Sequence, residues 1–76
     1  MSMEFREKLR FLRKEKGFTQ EELAEKLCVS RTAVSKWESG RGLPSIESLR
    51  DIASLFSLSI DELISGENIV KIAKKI

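Results

Sequence analysis

Four side chains that hydrogen-bond readily, Arg31, Thr32, Ser35 and Lys36, fall within one short stretch of the chain. At 3.6 residues per turn they share a face with Ser39, while Ala33, Val34 and Trp37 fall on the opposite side. A guanidinium can grip a guanine edge through two N–H groups and an ammonium through one. Threonine offers a hydroxyl, or a methyl group that packs on thymine. The same cations also suit phosphate, and for Arg31 both readings stay open. Competing chemistry is scarce. The chain has no histidine and one cysteine, which excludes an imidazole base, an intrachain disulfide and a Cys/His zinc site. It holds no Gly-rich phosphate loop and no convergent acid pair, and a helical chain of 76 residues has little room for a substrate pocket. These residues describe a binding surface, with no enzyme activity, metal or cofactor implied.

Such a face needs a helix short enough to enter a groove and firmly braced from behind. The apolar period is close to 3.6 along the chain, so the fold class is all-α, with five helices expected. Phe5, Leu9 and Leu12 stripe a first helix over about residues 3–16, stopped by Gly17. Thr19 and Glu22 form a capping box, and Phe18 and Leu23 sit at the spacing of a hydrophobic staple. Leu23, Ala24 and Leu27 make the inner face of this second helix. Ser30 is the next N-cap, so the chain must turn sharply within about three residues. The third helix covers about residues 30–38, with Ala33, Val34 and Trp37 inward; Trp37 reads as core and not as a stacking platform. After Gly40 and Gly42, Pro44 and Ser45 open a fourth helix with Ile46, Leu49, Ile52, Ala53 and Phe56 inward. Ser59 and Glu62 form a second capping box, with Leu58 and Leu63 as its staple, on a short fifth helix stopped by Gly66.

The net charge is +2. Residues 1–44 hold ten Lys/Arg against seven Asp/Glu, whereas residues 45–76 hold four against five. Basic charge thus gathers in the half that carries the polar face, although a surplus this small adds only slight weight to nucleic-acid binding. No run is apolar enough to span a membrane or serve as a secretory leader, and the lone cysteine fits a reducing, cytoplasmic setting.

The run from Gly17 to Gly40, GFTQEELAEKLCVSRTAVSKWESG, resembles the lambda-repressor-like (Xre/Cro-type) helix-turn-helix regulators. Pro44–Leu63 resembles the fourth and fifth helices of the same five-helix domain, so the likeness covers about residues 3–66. The resemblance implies a DNA-binding domain over residues 1–66, with the helix-turn-helix formed by helices 2 and 3. It implies a transcription regulator, a repressor being the commonest kind, that binds double-stranded DNA as a homodimer on a near-palindromic operator. Arg31, Thr32, Ser35 and Lys36 then become base-contacting candidates. Gln20, Ser30 and Arg41 match positions near the phosphate backbone; the alternative readings are a solvated side chain for Gln20 and Arg41 and a plain cap for Ser30. Arg13 and Glu38 match an ion pair that ties helix 1 to the end of helix 3. The rival class is a protein-interaction module of the same fold, which a bulky apolar or acidic face would favour; the face here carries no carboxylate.

Two residues depart from the family pattern. Cys28 stands where most relatives have glycine, at a position that often needs left-handed backbone, at a cost of about 1 kcal/mol. Phe11 replaces a usual polar residue, and lying off the Phe5–Leu9–Leu12 stripe it is expected on the surface. Residues 67–76 form an amphipathic tail with Ile69, Ile72, Ala73 and Ile76 at helical spacing. The tail reads as a short sixth C-terminal helix, a dimer contact, or the start of a linker to a missing C-terminal region. Phe11, Ile69, Ile72 and Ile76 are the candidate dimer contacts.

Overall fold

The computed structural model describes residues 4–64. They form α1 (Phe5–Glu15), α2 (Gln20–Leu27), α3 (Arg31–Ser39), α4 (Ile46–Leu55) and α5 (Ile60–Ile64). Each helix gives one apolar side chain with no exposed surface to a shared core: Leu9, Leu23, Val34, Ile52 and Leu63. Burying such a side chain is worth roughly 1.5–3 kcal/mol, so the five helices stand or fall together. Trp37, Leu27, Phe56 and Leu58 extend the same cluster. α2 and α3 pack most closely on each other, α1 lies across α3 and α5, and α4 closes the bundle against α2 and α5.

The starts follow the capping chemistry. Glu22 N–H donates to Thr19 Oγ1 at 3.0 Å, and Thr19 N–H donates to the Glu22 carboxylate at 2.8 Å. That backbone amide first, then the Thr19 hydroxyl, holds the Glu22 carboxyl below the usual carboxylate range, with help from Lys26. Ser59 and Glu62 repeat the arrangement at 3.0 Å in both directions. Ser30 and Ser45 cap α3 and α4 by accepting from Ala33 and Ser48.

The ends share one closure. After each of the first four helices a residue with positive φ turns the chain: Gly17, Cys28, Gly40 and Ser57. The following amide then bonds a carbonyl five residues back: Phe18 to Arg13, Val29 to Ala24, Arg41 to Lys36 and Leu58 to Ala53. This pairing is the Schellman motif, and it satisfies carbonyls that a helix end would otherwise orphan. Cys28 adopts φ 57° and ψ 41°, so the departure from glycine leaves the left-handed turn in place.

Two sequence expectations change, and one buried cation carries no sequence signal. Ile46 is 59% exposed instead of inward, because the first turn of α4 projects past the edge of the core; Leu43, three residues earlier, is 80% exposed. Phe11 is half-buried and packs against the core instead of standing free. Lys8, which no apolar stripe marks, is fully buried, and its Nζ donates to the Glu62 carbonyl at 3.1 Å, joining α1 to α5. The tail, with Ile69, Ile72 and Ile76, lies outside the described residues.

Left-handed backbone at a residue with a Cβ costs about 1 kcal/mol, so Cys28→Gly is expected to raise Tm by roughly 4–8 °C in a domain of this size. Thermal unfolding followed by circular dichroism checks this; an unchanged or lower Tm would show that the turn carries no strain.

Candidate nucleic-acid interface

α3 is nine residues long and divides cleanly by side. Val34, Trp37 and Glu38 are buried and Ala33 half-buried, whereas Arg31, Thr32, Ser35, Lys36 and Ser39 are exposed. The exposed set, with Arg41 from the following loop, lines a shallow concavity of about 220 Å³. Four base-contacting candidates and one phosphate candidate are therefore brought together on one open face. Arg31 and Lys36 form no ion pair with any described residue, so both charges are available to a ligand.

Behind this face lies a small polar network. Arg13 Nε donates to Glu38 Oε2 at 2.7 Å, and its terminal nitrogen donates to Glu38 Oε1 at 3.0 Å. The other terminal nitrogen donates to the Phe18 carbonyl at 2.8 Å. Gln20 Nε2 adds a third hydrogen bond to Glu38, at 3.1 Å to Oε1. The side chains of Arg13 and Glu38 are only 12% and 4% exposed. One carboxylate thus gathers the end of α1, the start of α2 and the last turn of α3. Among the described residues no buried side-chain nitrogen or oxygen lacks a hydrogen-bond partner.

The phosphate candidates sit at the edges of the face. Ser30 Oγ accepts from the Ala33 amide at 3.1 Å, which leaves the hydroxyl proton free to donate outward. Gln20 is half-buried, and its bond to Glu38 leaves one amide N–H and the side-chain oxygen for a ligand. Arg41 is exposed beside Ser39, whose hydroxyl donates to the Lys36 carbonyl at 3.1 Å. The sequence reading overlooked Arg10 of α1, which lines a second concavity with Gln20, Ser35, Glu38 and Ser39. Its spacing from Arg6 and Arg13 at i, i+4 and i+7 was the available signal.

Known proteins share this fold. The helix-turn-helix family profile matches residues 9–63. The chain is 60% identical over 72 residues to the HTH-type transcriptional activator BcrR of Enterococcus faecalis, covering 95% of this chain and 35% of that protein. It is 43% identical over 61 residues to the cryptic phage CTXphi transcriptional repressor RstR of Vibrio cholerae, covering 80% of this chain and 54% of that one. The chain therefore spans about a third of the activator's length and about half of the repressor's. Among solved structures, the P22 c2 repressor in complex with synthetic operator 9T superposes with a TM-score of 0.81 at 29% identity, covering 87% of this chain and all of that one.

A nearly buried ion pair leaves an uncompensated charge when one partner is cut back. Glu38→Ala and Arg13→Ala should each cost about 3–5 kcal/mol, while Arg13→Met/Glu38→Leu should cost less than the two single changes together. Urea unfolding measures all three. Losses below about 1 kcal/mol for the single changes would mark the pair as a solvated surface contact.

Proposed function

This chain belongs to the helix-turn-helix family, and from that premise we propose that it is a sequence-specific, double-stranded DNA-binding transcription regulator that reads the major groove with α3. The observation that carries the reading is the exposed face of α3: hydrogen-bonding side chains throughout, two unpaired cations and no carboxylate. Arg31 and Lys36 take guanine edges, and Thr32 and Ser35 supply hydroxyls and small apolar contacts. Gln20, Ser30 and Arg41 hold phosphates, which position the helix and make affinity depend on salt. The bound form is a homodimer, with two α3 helices about one DNA turn (~34 Å) apart on a near-palindrome. The isoleucines of the tail remain the proposed dimer contacts, joined by the part of Phe11 that the core leaves uncovered.

The sign of regulation is a separate matter. Repression is the outcome expected from the sequence and fits the likeness to phage repressors, yet the 60% identical relative is named an activator. The domain supplies DNA reading in either case. No helix among the described residues is long and apolar enough to cross a membrane. On this reading the domain acts on DNA in the cytoplasm as a binding module and not as an enzyme.

Selection of binding sites from a random duplex library, with Arg31→Ala/Lys36→Ala in parallel, tests the reading. The wild type should yield a two-fold-related motif that is lost or relaxed in the double variant. If no motif emerges and both proteins bind equally weakly at physiological salt, the proposed function fails.

A further inference from the structure

The arginines of α1 at positions 6, 10 and 13 share one face along α3, but their surroundings differ. Arg13 is held by Glu38 and the Phe18 carbonyl. Arg6 donates to Glu4 Oε2 at 2.8 Å, and its stem lies over the end of α3, with Cδ 3.1 Å from where a Cβ on Gly40 would stand. Arg10, between them, is exposed and makes no hydrogen bond or ion pair with any described residue. It borders a concavity of about 230 Å³ with Gln20, Ser35, Glu38 and Ser39. Ser35 and Ser39 also line the concavity that Arg41 borders. The outer face of α3 therefore runs between two open arginines, Arg10 from α1 on one flank and Arg41 from the loop on the other.

That disposition matches the shape of a DNA groove. A helix with its side chains is about 10–12 Å across and the major groove about 12 Å wide, so the phosphates of both strands flank an inserted helix. Glu38 also borders the Arg10 concavity, but Arg13 and Gln20 occupy its carboxylate oxygens and Arg13 offsets its charge. We propose that Arg10 grips a DNA backbone phosphate on the α1 side of the reading helix, opposite the strand held by Arg41. The contact rests on the DNA-binding reading above and extends the interface beyond the helix-turn-helix itself. A guanidinium takes a phosphate through two parallel N–H bonds, which would help fix how deeply α3 enters the groove.

Fluorescence anisotropy on the selected duplex and on a scrambled duplex, from 50 to 200 mM salt, separates the outcomes. Wild type, Arg10→Ala, Arg10→Lys and the charge-matched control Arg50→Ala are compared, each checked for an unchanged melting curve. Arg10→Ala should weaken binding to both duplexes by a similar factor and make the log–log salt slope shallower by about 0.9. The wild-type advantage should then shrink about 3.5-fold across that salt range. Arg10→Lys should keep the slope. If Arg10→Ala matches Arg50→Ala in affinity and slope, or changes base preference instead of overall affinity, the phosphate contact is refuted. A wild type that binds neither duplex would overturn the DNA-binding reading itself, an outcome distinct from normal binding with an inert Arg10.

Discussion

The carboxylate of Glu38 is the point on which the interface depends. It accepts two hydrogen bonds from Arg13 and one from Gln20, and Arg13 continues to the Phe18 carbonyl. Three helices and the loop between two of them therefore meet at one buried group. Desolvating both charges consumes much of what their attraction supplies, so the pair adds little net stability. Its contribution is geometric: the bonds are satisfied in one arrangement of α1, α2 and α3, and that arrangement sets which side of α3 looks outward.

The same bond shapes the electrostatics. Glu38 is the sole acid within Arg31–Ser39, and turning it inward against Arg13 clears negative charge from the side where a nucleic acid would lie. A modest net charge of +2 is then enough, because the cations at positions 31, 36 and 41 border one concavity free of carboxylates. The turn before α3 serves the same end. Val29 N–H bonds back to the Ala24 carbonyl while Cys28 takes left-handed backbone, which redirects the chain within three residues and sets α3 at an angle to α2.

Much of this was legible in the sequence because local chemistry carries it. The Thr19/Glu22 and Ser59/Glu62 boxes mark helix starts through contacts three residues apart, and Gly17 and Gly40 mark ends through their freedom at positive φ. The polar face of α3 could be read from periodicity alone. What escaped depends on the third dimension. Lys8 is a buried cation because α5 brings a carbonyl to it across 54 residues, which no local pattern reveals. Ser57 takes the turn that glycine marks elsewhere, so its residue type gave no warning. Ile46 continues an apolar stripe beyond the core's edge, and Phe11 lies off its stripe yet finds the core; helical angle alone cannot say how far a neighbouring helix extends. Arg10 stood in a visible row of arginines, but only the packing of α1 on α3 distinguishes it from its neighbours.

The most direct test of the central claim is an amide chemical-shift titration of the ¹⁵N-labelled protein with its selected duplex. The largest perturbations are expected on residues 30–41 and on Gln20, with those of α4 and α5 small. Perturbations centred on α4 or α5, with α3 unmoved, would contradict the assignment of α3 as the reading helix and of the Arg13–Glu38 pair as its brace.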